Sequence, residues 1–400
     1  MCIINRVSQE DCCGCSACVN ICPKQCLELK EDKEGFLQVR LSKHNCIECG
    51  LCEKVCPILA PKRENEIELI AYAAKNNSEE ERKLSSSGGI FISLANMVLE
   101  QGGVVCGARF DENFHLIHDF AQTKEELLPF LSSKYLQSDM RDCYKKVKNH
   151  LIENRLVLFS GTPCQVLGLK LYLGKEYDNL IAVEVVCHGV ASPLVWKKYL
   201  EEVCKRKNIS LKDIKNISFR NKDKSWRVFN LKIEGKDKTI LKESLHDNIY
   251  MRGFLQNLFL RRSCHHCPAK NFTSKADISL ADYWGIDRFH QEIDDNKGVS
   301  AMILYNKKIK LDLKKLLLDF KKLKLDFKNT TLRNILETNT ALIKSAKPHP
   351  RREEFFETMQ EKEFLNLKQY VGEPTLKKIK RKTRWFLSDI KSKILKKGGF

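Results

Sequence analysis

Eight cysteines in two short runs are the residues with the most evident chemistry. Cys12-x2-Cys15-x2-Cys18-x3-Cys22-Pro23 is followed by Cys46-x2-Cys49-x2-Cys52-x3-Cys56-Pro57. Three thiolates spaced by two residues on a tight loop hold three irons of a cubane, while the fourth starts a helix and ligates the other cluster. The spacing therefore assigns Cys12, Cys15, Cys18 and Cys56 to one [4Fe-4S] cluster, and Cys46, Cys49, Cys52 and Cys22 to a second. A pair of zinc knuckles competes with this reading, but zinc sites pair their cysteines across a longer loop. Cys2, Cys13 and Cys26 are left over and read as free or structural thiols.

Written twice, this run is the bacterial ferredoxin pattern, so residues 1–62 are expected to form a ferredoxin-type dicluster domain. Eleven of the 18 cysteines fall in the first 56 of 400 residues, a crowding that suits ligation better than a disulfide scaffold. Met1-Cys2-Ile3-Ile4-Asn5-Arg6 lacks the apolar core of a secretion signal. The longest apolar stretch, around Ile90 to Leu99, is shorter than the ~20 residues of a membrane span. A cytoplasmic protein is expected. The net charge of +19 is uneven: residues 1–62 carry eight basic and eight acidic side chains, whereas residues 377–397 carry ten basic and one acidic.

The elements that must position further chemistry come next. Strand and helix signals alternate from Ile67 to Ala74, Ile90 to Glu100, Val104 to Phe110, Tyr144 to Asn154, Leu156 to Ser160, Pro163 to Leu173, Leu180 to Cys187 and Pro193 to Lys207. This argues for an α/β body, mixed α+β with the first domain included, around a substantially parallel sheet. Thr123-Lys124-Glu125-Glu126 reads as a capping box, and Tyr250 to Leu260 as a further helix. Ser85-Ser86-Ser87-Gly88-Gly89 opens a helix with small residues that suit a phosphate, although a plain N-cap explains it equally. Thr162 and Pro163 form a helix start that places Cys164 in the first turn, where the dipole is expected to lower its pKa. Cys187-His188-Gly189 ends the next strand, and Cys264-x2-Cys267 supplies a hook flanked by His265 and His266. A third iron–sulfur cluster on Cys164, Cys187, Cys264 and Cys267, a zinc site on the hook, and packed thiols all remain open on spacing alone.

Several motifs in order now carry a resemblance: Ser86-Ser87-Gly88-Gly89, Ser132-Ser133-Lys134-Tyr135-Leu136-Gln137-Ser138, Ser160-Gly161-Thr162-Pro163-Cys164-Gln165, Cys187-His188-Gly189, Ser263-Cys264-His265-His266-Cys267 and Ala276-Asp277-Ile278-Ser279-Leu280-Ala281-Asp282-Tyr283-Trp284-Gly285. Together with the tandem runs, the sequence resembles the coenzyme F420 hydrogenase/dehydrogenase beta-subunit family in its bacterial form with a fused ferredoxin domain. The resemblance covers residues 1 to about 305, and Pro348-His349-Pro350-Arg351-Arg352-Glu353 extends it. Ala281 stands where the family usually has glycine.

The resemblance implies an iron–sulfur flavoprotein oxidoreductase carrying FAD, with Ser87, Gly88 and Gly89 at the pyrophosphate. Ser133, Lys134 and Tyr135 would line the flavin pocket, with Gly161 and Thr162 at its floor. It also favours Cys164, Cys187, Cys264 and Cys267 as ligands of a third [4Fe-4S] cluster. The electrons would pass to coenzyme F420 or another organic acceptor, including a sugar-linked one, since bacterial relatives occur beside surface-polysaccharide genes. A ferredoxin or a reductase is the expected redox partner. The alternative is a non-catalytic electron-transfer subunit of a larger complex, and a third class is a structural iron–sulfur protein on nucleic acid.

The implied organisation is a ferredoxin-type domain at 1–62, an N-terminal part of the beta-subunit region at 66–150, a C-terminal part at 151–335 with the C-x2-C hook, and a helical basic tail at 336–400. Residues 307–328 read as an amphipathic surface helix. In the tail, Ile379, Trp385, Phe386, Ile390, Ile394 and Leu395 lie among the ten basic residues, which fits a helix resting on an anionic membrane or simply a solvated basic tail. No nucleic-acid motif accompanies it.

Overall fold

The computed structural model describes residues 2–42, 45–60, 68–223, 225–306 and 325–372. Each cysteine run turns into a short helix, Ala17–Ile21 or Leu51–Lys54, entered through a left-handed residue, Ser16 or Gly50, so Cys22 and Cys56 follow a helix where the sequence expected them to start one. Between the runs lies an antiparallel hairpin of β1 (Leu27–Glu31) and β2 (Leu37–Leu41). The core of this unit is small, with Ile3, Val7, Leu27 and Val39 packed among cysteines. So few apolar residues supply little stability by themselves, which is the usual reason a unit this size relies on bound metal.

The body begins with β3 (Glu68–Asn76), β4 (Val104–Phe110), β5 (Leu116–Ala121), β6 (Val157–Gly161) and β7 (Leu180–Val185). Next come β8 (Ile214–Asn221), β9 (Asn230–Gly235) and β10 (Thr239–Ser244), a separate antiparallel sheet. Then β11 (Ile278–Asp282), β12 (Ser300–Asn306) and β13 (Leu325–Thr330) complete an eight-stranded sheet in the order β13-β3-β12-β11-β7-β6-β4-β5. Only the centre, β11-β7-β6-β4, is parallel. The flanks are antiparallel, so the expected parallel sheet holds for four strands. Between β4 and β5 the reason is connection length: Asp111 accepts from the N–H groups of Asn113 and His115 in their short turn, which leaves no chain for a crossover.

Side-chain alternation decides which helix covers which face. Leu158 and Ile181 share a core with the helix Ile90–Glu100, whereas their neighbours Phe159 and Ala182 share another with the helices Cys143–Ile152 and Pro163–Leu173. At roughly 1.5–3 kcal/mol for each large apolar side chain buried, these two layers hold the sheet rigid beneath the loops at its edge.

Three local expectations change. The helix expected over Tyr250 to Leu260 spans Ile249–Leu255 and ends because Asn257 takes a left-handed conformation (φ 65°). Residues 325–328, expected in an amphipathic helix, lie in β13 and pair with β3, because cross-strand hydrogen bonding there outweighs the local pattern. At Thr123 the side chain does accept from Glu126 N–H, but the Glu126 carboxylate takes the N–H of Gln122 rather than that of the cap. The rest of the 307–328 segment, the linker before Glu68 and residues 373–400 lie outside the described residues, whereas residues 336–372, expected in the tail, pack on the body through Phe355, Phe356 and Tyr370. Among the described residues no helix is long and apolar enough to cross a membrane.

The dicluster unit is docked on the body. Cys15 lies against the helix Pro163–Leu173, where a side chain at Gly168 would meet Cys15 Sγ at 3.2 Å. Ser192 Oγ donates to Glu34 O at 2.5 Å, and Asn20 Nδ2 donates to Arg141 O at 2.8 Å.

Candidate functional site

The parallel strands β4, β6, β7 and β11 end at one edge of the sheet, and β3, antiparallel to β12, ends there too. Ligands in α/β sheets sit at such carboxyl edges. The segments that leave this edge are Ser85–Gly89 after β3, Thr162–Cys164 after β6, Cys187–Gly189 after β7 and Tyr283–Gly285 after β11. The Ser132–Ser138 segment joins them, since Asp139 bridges Ile117 next to Ser138.

Cysteines line three cavities. The first, about 390 Å³, has Cys12, Cys15, Cys18 and Cys56 in its wall. The second, about 340 Å³, has Cys22, Cys46, Cys49 and Cys52, with Cys2 and Cys26 beside them. Cys49 is exposed, so this cavity lies nearest solvent. The third, about 640 Å³, brings Cys164, Cys187, Cys264 and Cys267 together from three separate segments. Cys13 and Gly14 line both the first and the third cavity. Thiols ranged around a cavity suit a cluster better than a single ion, which needs its ligands about 2.0–2.3 Å from one point.

The third cavity overturns the expected effect of the helix dipole on Cys164. Its thiol is held well above the ordinary range, first by a hydrogen bond with Cys13 and then by burial, which together outweigh the helix start. Burial likewise pushes Cys187, Cys264 and Cys267 up to about 12. A group that replaces these protons with metal removes that cost, because metal ligation takes the thiolate. Lys270 Nζ donates to Cys187 O at 2.6 Å, and His188 lies at 2.5 Å from Asn257 Oδ1. Cys13 therefore belongs to the site. The sequence marked it only as a thiol left over from the first run.

The flavin candidates fall in a second part of the edge. Ser86 Oγ donates to Ser133 Oγ at 2.9 Å and accepts from Ser133 N–H at 2.7 Å, so the two serine loops touch. Ser87 Oγ donates to Val299 O at 2.8 Å and Gly88 N–H to Ser300 Oγ at 3.0 Å, so both spend these donors inside the fold. Gly89, left-handed at φ 82°, starts the helix. Lys134 is half-buried, donates to Leu131 O and Ser132 O, and is brought down to about 7 by desolvation. Tyr135 stacks on Phe254 with ring centroids 4.6 Å apart. Gly161 ends β6, and Thr162 N–H donates to Gln165 Oε1 at 2.9 Å.

Three residues here carry roles that no sequence motif announces. Arg220, buried, reaches from β8 to donate to Ser86 O and to pair with Asp282 at 3.0 Å, while its Nε has no partner among the described residues. Lys222 Nζ donates to the carbonyls of Arg82, Ser87 and Lys297, and desolvation first, with Arg220 and Arg82 nearby, lowers it to about 7. Both come from the second sheet folded over the first, which local spacing does not encode. Asp282 belongs to the Ala276–Gly285 motif, where the sequence gives it no role; it is the partner of Arg220.

Comparison with known proteins matches two segments of the chain. Residues 11–60 match the 4Fe-4S dicluster domain, and residues 154–325 match the C terminus of the coenzyme F420 hydrogenase/dehydrogenase beta subunit. No curated protein matches the chain. Among solved structures, a chain of the F420-reducing [NiFe] hydrogenase complex from Methanosarcina barkeri is similar at 16% identity and a TM-score of 0.42, covering 74% of this chain and 90% of that one. Two parts of the chain are thus matched, one by a 4Fe-4S dicluster domain and the other by the C terminus of the coenzyme F420 hydrogenase/dehydrogenase beta subunit.

Proposed function

We propose that this chain is an iron–sulfur flavoprotein oxidoreductase that carries electrons from its dicluster domain through a third cluster to FAD and an organic acceptor. The observation that carries the reading is the third cavity, where Cys164, Cys187, Cys264 and Cys267 line one space and share the wall residues Cys13 and Gly14 with the first cavity. Cys12, Cys15, Cys18 and Cys56 would hold one cluster, Cys22, Cys46, Cys49 and Cys52 the outer one, and the four body cysteines the third.

The residues at the edge also suit a phosphate-bearing flavin. Among the described residues, Arg220 Nε is a buried donor without a partner, and Lys134 is a desolvated amine bonded to carbonyls alone. Gly89, Ser133, Lys134, Tyr135, Gly161 and Thr162 would hold FAD, whereas Ser87 and Gly88 shape the loop. When bound, a flavin supplies the exchange between one-electron and two-electron chemistry. The acceptor would be of coenzyme F420 type or another organic compound, and a ferredoxin or reductase would supply electrons at the exposed Cys49 side. Ser87 and Gly88, with these donors already satisfied, favour one second reading: an electron-transfer subunit without flavin, serving a separate catalytic partner.

Anaerobic reconstitution tests both. About twelve irons per chain and flavin released on mild denaturation are expected. About eight irons would remove the third cluster, and twelve irons without flavin would establish the relay.

A further inference from the structure

Arg261 is a buried cation whose hydrogen-bond partners are all neutral. Its side chain is 1% exposed. Nε donates to Cys12 O at 2.7 Å, Nη1 to Leu37 O at 3.0 Å and Gln137 Oε1 at 3.2 Å, and Nη2 to Gln38 Oε1 at 2.8 Å. Among the described residues no carboxylate pairs with it, in contrast to Arg352, equally buried, which takes both oxygens of Glu34. A guanidinium cannot discharge by losing its proton, so burying one without a counter-charge is costly unless an anion comes close.

Its surroundings show where that anion would be. Cys12 and Gly14 belong to the first cavity, and a side chain at Gly14 would meet the Arg261 guanidinium carbon at 3.1 Å. On the other side, Arg261 O accepts from Cys264 N–H and Arg261 N–H donates to Val190 O, both at 3.0 Å, and Cys264 and Val190 line the third cavity. Gln137, 4% exposed, stands in the same wall of the third cavity. Its Oε1 accepts from Leu37 N–H and from Arg261, and the buried Nε2, against Gly14, has no partner among the described residues. A cation and an N–H donor with no partner among the described residues thus stand against the Cys12–Gly14 segment where the two cysteine cavities meet. Four thiolates outweigh the positive charge of a cubane core, and reduction adds one more negative charge, so a cluster on either side is the missing anion.

We propose that Arg261 is the shared counter-cation of the cluster held by Cys12, Cys15, Cys18 and Cys56 and the cluster held by Cys164, Cys187, Cys264 and Cys267, with Gln137 as its neutral companion. The inference rests on the third-cluster reading above. Arg261 raises the potentials of both neighbours and makes this wall the route between them. The step it serves moves one electron: one cluster is oxidised, the other is reduced, no bond breaks and no proton moves. The electron stays beside the same guanidinium before and after, so little rearrangement is needed.

The test is an EPR-monitored redox titration of the reconstituted full chain with dithionite as reductant. Arg261→Met removes the charge and keeps the stem, and Arg261→Lys keeps the charge. Gln137→Glu keeps the acceptor and sets a carboxylate beside the guanidinium, which serves if the Met variant does not fold. In Arg261→Met and Gln137→Glu the reduced-to-oxidised ratio at fixed potential should fall at least tenfold, 59 mV for one electron, at both neighbouring clusters. Arg261→Lys should stay within about threefold of the unsubstituted protein, and the cluster of Cys22, Cys46, Cys49 and Cys52 should shift less. About twelve irons with unshifted potentials in both charge-altering variants would overturn the proposal. Equal shifts at all three clusters, or the same loss in Arg261→Lys as in Arg261→Met, would overturn it too. About eight irons in the unsubstituted protein would instead overturn the third-cluster reading, and the shared cation with it.

Discussion

Removing the Glu34 carboxylate should loosen the dicluster unit from the body, and the structure sets the size of the effect. Glu34 lies beyond β1 at the hairpin turn, 5% exposed at its side chain, and faces the 3% exposed Arg352. Arg352 Nη1 donates to Oε1 at 2.9 Å and Nη2 to Oε2 at 2.5 Å, while Arg262 adds a third bond at 2.9 Å. Losing one partner of a buried pair costs about 3–5 kcal/mol, because the other charge stays buried and uncompensated. Arg262 still keeps the exposed Glu353, so its share is about 0–1 kcal/mol. Arg352→Met should cost less than Glu34→Ala, since Glu34 would retain Arg262. The double Met variant should recover much of the loss.

A chain of several units does not unfold in two states, so local hydrogen exchange is the better assay. With 1.4 kcal/mol for each factor of ten, amides of the helix Arg352–Glu361 and of the β1–β2 hairpin should exchange about 10² to 4 × 10³ times faster in Glu34→Ala. Less than a tenfold change, or a double variant as fast as the two single costs added together, would refute the reasoning. The pH sign follows from the same contacts. Desolvation pushes Glu34 up, but hydrogen bonds and charge from Arg352 and Arg262 outweigh it and hold the carboxyl below its usual range. The clamp is therefore complete above the unfolded value of about 4.3 and is lost as pH falls through the folded one.

Further expectations are smaller in scope. Cys264→Ser should lower iron by about four atoms per chain and leave the EPR signals of the N-terminal pair; unchanged iron would exclude Cys264 as a ligand. Lys134→Met should reduce flavin recovered after reconstitution by about tenfold or more, and full recovery would take Lys134 out of the pocket. His118, buried between Ser138 Oγ and Ser160 O, is held down to about 4 mainly by desolvation. Stability should thus fall as pH drops from about 6.5 towards 4, by up to about 3 kcal/mol, and His118→Gln should flatten that slope in acid denaturation. Gly35→Ala should undock the hairpin, because φ is 79° and the added carbon would lie 2.1 Å from Leu194 Cβ; normal exchange protection there would contradict the placement.

Short-range chemistry is legible in the chain itself. Four cysteines in eleven residues, twice, specify clusters because the ligands of each loop are neighbours in the chain. The helices Ile90–Glu100, Pro163–Leu173 and Pro193–Lys207 and the strand Val104–Phe110 fall where periodicity, Thr162, Gly174 and Pro193 place them, since caps and repeats act within a few residues. Motif order also points to the family region matched at residues 154–325.

The remainder depends on contacts between residues far apart in sequence, which no local pattern encodes. β13 follows from pairing with β3 some 250 residues earlier, and β12 pairs antiparallel with that same distant strand. Cys164, Cys187, Cys264 and Cys267 line one cavity only because β6, β7 and the hook reach the same sheet edge. Cys13, left over by its run, faces Cys164 through docking of the dicluster unit, and Arg261, outside every ligand spacing, is buried between the two cavities by that same docking. The sequence by itself determined which residues could bind metal. Tertiary packing decided which of them share a cavity and which cation stands between, because burial and charge compensation are properties of the assembled fold.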